Sequence, residues 1–175
     1  MRTGIALIGF MGTGKTAVGK RLAEKLGKEF IELDALIAKK AGKSIPEIFR
    51  RNGEIRFREL EIEATREVAA KKNAVIACGG GIVLNKINVD RLRQECVIVC
   101  LTASLAVILR RTSGDKEGRP LLAVADRAQQ IKELIKFRQP YYARSAEMTI
   151  NTSRMSINAA ADKIILDLKN YETND

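Results

Sequence analysis

The sequence predicts an α/β fold in which a mainly parallel, five-stranded sheet is flanked by helices. Three observations predict it. Five short apolar runs alternate with longer stretches of helical periodicity. The spacing between the runs leaves room for the helical crossovers that parallel pairing requires. A glycine-rich turn, Gly9–Thr16, joins the first run to the first helical stretch.

The elements follow in order. Thr3–Ile8 reads as a buried strand ended by Gly9. Lys15–Leu26 places Val18, Leu22 and Leu26 four apart, an amphipathic helix stopped by Gly27. Phe30–Leu33 reads as a second strand. Ser44 and Glu47 have capping-box spacing, with a proline tolerated in the first turn, and open a helix to about Arg51. Gly53 separates it from a longer helix, Glu54–Lys71. Ala74–Cys78 is the third strand and runs into Gly79, Gly80 and Gly81. Val97–Leu101 is the fourth, followed by a short helix over Ser104–Arg110. The polar stretch Thr112–Leu122, with Gly114, Gly118 and Pro120, reads as a loop. Asp126–Arg138 is helical and Met148–Ile150 is the last strand. Ser156 caps a final helix whose apolar face is Ile157, Ala161, Ile164, Ile165 and Leu168.

Composition narrows the function classes. The chain has 175 residues, which suits one domain spanning 1–175. No apolar run reaches the roughly 18 residues of a membrane helix. The N-terminus lacks a small-residue cleavage site, so no signal peptide is expected. Three cysteines, Cys78, Cys96 and Cys100, sit in apolar strand text and read as buried thiols of a reducing, cytoplasmic protein. With no histidine, His-based triads, HExxH zinc sites and a histidine base are excluded. The net charge of +10 favours anionic partners. Arginines are scattered rather than blocked, and aromatic residues make up only 5%, so neither a nucleic-acid tail nor a base-stacking platform is supported.

Gly9-Phe-Met-Gly-Thr-Gly14-Lys15-Thr16 matches GxxxxGK[ST] between a strand and a helix, the context in which that motif cradles nucleotide phosphates. Its glycines turn backbone N–H groups inward, and the helix N-terminus adds unsatisfied donors and a positive dipole end. Lys15 reaches the β and γ phosphates, and the Thr16 hydroxyl binds Mg²⁺.

Three further features concern an acceptor. Glu32 and Asp34 close the second strand one residue apart, so strand alternation points both towards the crevice at its carboxyl end. Two solvated loop carboxylates would look the same. Arg58 and Glu61 lie three apart on one helical face; a surface ion pair is the competing explanation. Gly79–Gly81 ends a buried strand and suits close approach of a small ligand to backbone, against a merely flexible turn.

In this order the motifs resemble those of the shikimate kinases. The matching segments are Gly9–Thr16, Glu32-Leu-Asp34, Ser44–Phe49, Gly53–Glu61, Gly79–Gly81, Arg119–Leu122 and Arg138-Gln-Pro-Tyr-Tyr142. The resemblance implies a three-layer P-loop kinase fold with strand order 2-3-1-4-5. It implies substrate-binding helices over about 34–61 and a mobile lid over about 112–124. ATP would be bound by Gly12, Thr13, Gly14, Lys15, Thr16 and Ala17, with Arg111 stacking on adenine and Arg119 closing over the phosphates. Shikimate would be held by Asp34, Arg58, Gly79, Gly80, Gly81 and Arg138. The two arginines would grip its carboxylate, Glu61 would hold Arg58, and Asp34 would orient the attacked hydroxyl. Lys15, Asp34 and Arg119 would be catalytic. Thr16 and Glu32 would hold Mg²⁺, Glu32 through water. Glu32 stands where the family usually has aspartate, and no proline lies near Thr152–Met155 where the family often places one against adenine. The implied enzyme is a monomer acting on ATP and shikimate, with no nucleic-acid or membrane partner. A kinase of another small polyol acid such as gluconate, a nucleoside monophosphate kinase and a non-catalytic nucleotide- or nucleic-acid-binding protein are the rivals.

Overall fold

The computed structural model describes residues 2–114 and 126–173. Five parallel strands form one sheet: β1 (Gly4–Ile8), β2 (Glu29–Glu32), β3 (Ala74–Ala77), β4 (Cys96–Thr102) and β5 (Met148–Asn151), in the order β2-β3-β1-β4-β5. The helices are α1 (Lys15–Leu26), α2 (Leu33–Ala41), α3 (Ile45–Ala69), α4 (Lys86–Glu95), α5 (Leu105–Arg111), α6 (Arg127–Ser145) and α7 (Ile157–Thr173), with a 3-10 turn over Ile82–Leu84.

Strand alternation divides the core into two layers. On one face Ile5, Leu7, Val75 and Val99 pack against Val18 and Leu22 of α1 and Ala161 and Ile164 of α7. On the other face Ala6, Ile8, Ile76 and Ile98 pack against residues of α2 to α6, among them Ile37, Ile48, Val68, Leu92 and Ile131. Because both faces are covered, the central strands are apolar throughout rather than alternating. β1 is the switch point: the chain goes to β3 and β2 on one side and to β4 and β5 on the other. In an open parallel sheet that geometry leaves a ligand crevice at the carboxyl ends of the strands.

The capping expectations hold. The Ser44 hydroxyl accepts from the Glu47 N–H at 3.3 Å, and Ser156 accepts from the Ala159 N–H at 3.1 Å. Gly53 breaks α3 with φ 77° and ψ 172°, a conformation open to glycine. All three cysteines are buried and unbridged. Among the described residues, no helix is long and apolar enough to cross a membrane.

Three elements differ from the sequence expectation. First, β2 ends at Glu32 and the chain turns directly into α2, because Leu33 and Ile37, one turn apart, are both fully buried. Glu32 is therefore the extended N-cap of α2 and Asp34 lies in its first turn; the two are not alternate residues of one strand. Second, α4 went unassigned because only Val89 and Leu92 mark its apolar face amid charged neighbours. Third, α6 continues past Arg138 and through Pro140 to Ser145. An interior proline costs about 3 kcal/mol by removing a helical N–H, but Tyr142 and Ser145, both buried, anchor the turn beyond it.

Candidate active site

The turn after β1 builds the nucleotide side. Gly14, with φ 99°, is the N-cap of α1 and carries no side-chain cap, and the first helical turn contains no acidic residue. The N–H groups and dipole end are thus open to an anion. The Thr13 hydroxyl donates to the Phe10 carbonyl at 2.8 Å, and Lys15 Nζ donates to the carbonyls of Gly9 at 2.8 Å and Phe10 at 2.9 Å. The Thr16 hydroxyl donates to Glu32 Oε1 at 2.9 Å, so the expected metal pair is brought together although the residues belong to different elements.

Arg111, at the end of α5, donates to the Gly12 carbonyl at 3.2 Å and to both the hydroxyl (3.0 Å) and carbonyl (2.9 Å) of Thr152. The buried Thr152 hydroxyl in turn donates to the Thr13 carbonyl at 2.8 Å. This network ties the phosphate loop to the chain leaving β5. A cavity of about 280 Å³ opens beside it, and its lining includes Gly12, Gly14, Lys15, Thr16, Ala17, Glu32, Asp34, Gly79, Gly80 and Arg111.

The acceptor side adjoins that cavity. Arg58 Nη1 pairs with Glu61 Oε2 at 3.0 Å, and Arg58 also reaches Glu54 Oε1 at 3.1 Å. This is no ordinary surface pair: the Glu61 side chain is 0% exposed and that of Arg58 16%. Burial pushes the Glu61 carboxyl up to about 7; the Arg58 charge opposes that shift and the Asp34 charge adds to it. Arg138 is 4% exposed, with its guanidinium 5.8 Å from the Phe10 ring centroid.

The three glycines bring these groups together. A Cβ on Gly79 would lie 2.8 Å from Asp34 Oδ1 and 3.3 Å from Glu61 Oε1. One on Gly80 would lie 3.4 Å from Arg138 Nη1, and one on Gly81 would lie 2.5 Å from both terminal nitrogens of Arg58. At Gly79 and Gly81 a side chain would crowd these charged groups, whereas at Gly80 it would meet Arg138 at ordinary contact distance. The segment is thus neither a flexible turn nor left bare solely for a ligand.

The structure therefore gathers Lys15, Thr16, Glu32 and Asp34 around one cavity and sets Arg58, Gly81 and Arg138 beside it. Arg119 and most of the 112–124 segment lie outside the described residues. Two contributors were missed. Thr152 gives no local signal, because its partners are distant in sequence. Tyr142, four residues after Arg138, donates its hydroxyl to the Gly80 carbonyl at 2.5 Å; the helix expected over Asp126–Arg138 stops short of it, whereas α6 runs to Ser145.

Chemically, a cation and helix N-terminus at the phosphate loop face a carboxylate, Asp34, with two guanidinium groups beyond it. This suits transfer of a phosphoryl group to the hydroxyl of a small acid. A family model described as "Shikimate kinase" matches residues 11–169. The shikimate kinase of Pelotomaculum thermopropionicum is 48% identical over 95% of this chain and 96% of that protein. A solved shikimate kinase from Acinetobacter baumannii in complex with shikimate superposes with TM-score 0.93 at 40% identity, covering 97% of this chain and 95% of that one. The shikimate kinase structure from Bacteroides thetaiotaomicron gives TM-score 0.86 at 32% identity, covering 95% and 98%. Motif order, sheet order and near full-length similarity agree, and the chain belongs to the shikimate kinase family.

Proposed function

We propose that this protein transfers the γ-phosphoryl group of ATP to the 3-hydroxyl of shikimate, forming 3-phosphoshikimate in aromatic amino acid biosynthesis. The observation that carries the residue roles is the closeness of Asp34, Arg138 and Arg58 to Gly79, Gly80 and Gly81 respectively, where an added Cβ would lie 2.8, 3.4 and 2.5 Å from them. That closeness supports a reading in which Asp34 addresses a hydroxyl and Arg58 and Arg138 address a carboxylate.

The roles follow from charge and position. Arg58 and Arg138 grip the shikimate carboxylate, and Glu61 keeps Arg58 aligned through its 3.0 Å pair. Asp34 orients the 3-hydroxyl and takes its proton as the oxygen attacks the γ-phosphorus. The bond from that phosphorus to the β,γ-bridging oxygen breaks in line, and Lys15 offsets the charge left on ADP. Thr16 and Glu32 have the oxygen chemistry to hold Mg²⁺, Glu32 through water. Bound there, Mg²⁺ would neutralise phosphate charge. Support for a monomer comes from a site assembled within one chain. Support for a cytoplasmic, reducing location comes from three buried, unbridged thiols.

The test is an acceptor screen with ATP and Mg²⁺, following ADP release. Shikimate is expected to stimulate release, whereas gluconate and nucleoside monophosphates are not. Stimulation by either alternative without shikimate turnover would overturn the reading.

A further inference from the structure

The Tyr142 hydroxyl takes no part in the chemistry above, yet it sits at the centre of the acceptor side. It donates to the Gly80 carbonyl oxygen at 2.5 Å. The Arg138 guanidinium, one turn earlier on α6, lies against the same glycine: a Cβ on Gly80 would sit 3.4 Å from its Nη1. We propose that Tyr142 is a positioning residue for the acceptor, fixing through its hydroxyl the Gly80–Gly81 peptide against which the Arg138 guanidinium lies. This rests on the reading that Arg138 and the glycine segment hold an acidic acceptor.

The argument is geometric. The Gly80–Gly81 peptide is planar and trans, so its carbonyl and N–H point in opposite directions. Holding the oxygen against α6 aims the Gly81 N–H away from α6. Three successive glycines have no Cβ to restrict rotation of that peptide, so an external anchor is what selects its orientation. A phenol hydroxyl suits this task because it is a donor carried across from α6 on a rigid ring. Burial raises the Tyr142 phenol well above its usual range, keeping it a proton donor across the working pH. The ring packs in the core and borders a cavity of about 290 Å³ shared with Phe10, Ile135 and Gln139. The hydroxyl adds a directional contact to that packing.

The test is Tyr142→Phe, which keeps the ring and removes only the hydroxyl, compared with Arg138→Ala. Initial rates are measured with shikimate varied at saturating ATP and with ATP varied at saturating shikimate. Shikimate binding to the folded protein is titrated calorimetrically, and thermal unfolding is followed in parallel. The expected result for Tyr142→Phe is a shikimate KM raised about fivefold to tenfold, the equivalent of one lost hydrogen bond. The ATP KM should stay within about twofold. An unchanged shikimate KM and affinity in Tyr142→Phe, with Arg138→Ala clearly impaired, would overturn the positioning role and leave the acceptor reading standing. A lowered Tm with both KM values shifted alike would reduce Tyr142 to a structural residue and also overturn it. If Arg138→Ala itself leaves shikimate binding unaltered, the acceptor reading fails and the proposal fails with it.

Discussion

Glu61 holds its fully buried carboxylate 3.0 Å from the Arg58 guanidinium, so a residue that never reaches solvent sets the direction of one that does. The arrangement has a pH consequence. Burial raises the Glu61 carboxyl from 4.5 to about 7. Between those values the folded state holds a proton that the unfolded state has lost. Stability therefore falls as pH rises from about 4.5 to about 7. Glu61→Gln, which cannot ionise, should flatten this part of the Tm–pH curve while raising the shikimate KM through loss of the Arg58 anchor. Equal slopes in wild type and variant would remove Glu61 as the source.

Lys15→Met should lower kcat by at least about a hundredfold, the cost of deleting one preorganised charge stabiliser. The fold should survive, because Lys15 lines the cavity and its bonds to the Gly9 and Phe10 carbonyls lie within the phosphate loop. Near-normal turnover in a folded variant would remove Lys15 from the transferring phosphate.

The phosphate loop was legible because its chemistry is contiguous: Gly9 to Thr16 carries glycines, cation and hydroxyl in one turn. The five strands and most helices were legible from periodicity, whereas strand order came from family resemblance, since no local pattern selects β3 rather than β2 as the neighbour of β1. The acceptor site was only partly legible. An Arg58–Glu61 pair reads as a surface ion pair until α3 is seen to turn Glu61 inward. Asp34 reads as a strand residue until burial of Leu33 and Ile37 makes the segment a helix. The Arg111–Thr152 contact spans 41 residues and has no sequence signature.

Gly81→Ala tests the crowding at the glycine segment. Gly81 has φ −96°, so alanine meets no backbone strain. Its Cβ would instead lie 2.5 Å from the Arg58 terminal nitrogens and push them off line. The expected outcome is a shikimate KM raised about tenfold or more, with ATP KM and Tm little changed. A rise in ATP KM alone would place the segment on the nucleotide side.

Asp34→Asn should lower kcat by about a hundredfold or more while leaving ATP affinity nearly intact. The amide still hydrogen-bonds a hydroxyl but does not accept its proton at neutral pH. Collapse of ATP affinity with surviving acceptor kinetics would assign Asp34 to the metal and give the acceptor role to Glu32, which pairs with Thr16.

The carboxylate clamp makes the sharpest demand on the acceptor. Arg58 and Arg138 are both largely buried and both press on the glycine segment. If they grip an acid, the neutral methyl ester of shikimate loses two charge-assisted contacts, and Arg58 is left with Glu61 and Glu54 as its ion-pair partners. Such bonds contribute about 1.5–3 kcal/mol each. The ester should therefore be at least about a hundredfold worse in kcat/KM, at roughly 1.36 kcal/mol per tenfold. Arg58→Lys should not restore function, because a point-like ammonium lacks the bidentate fork. Arg58→Ala should discriminate acid from ester much less than wild type does, since the charge it would read is no longer read twice. Initial rates for both acceptors on both proteins decide the matter. Equal use of acid and ester by the wild type would mean that these arginines hold something other than a carboxylate, and a polyol or nucleotide acceptor would then fit the site better.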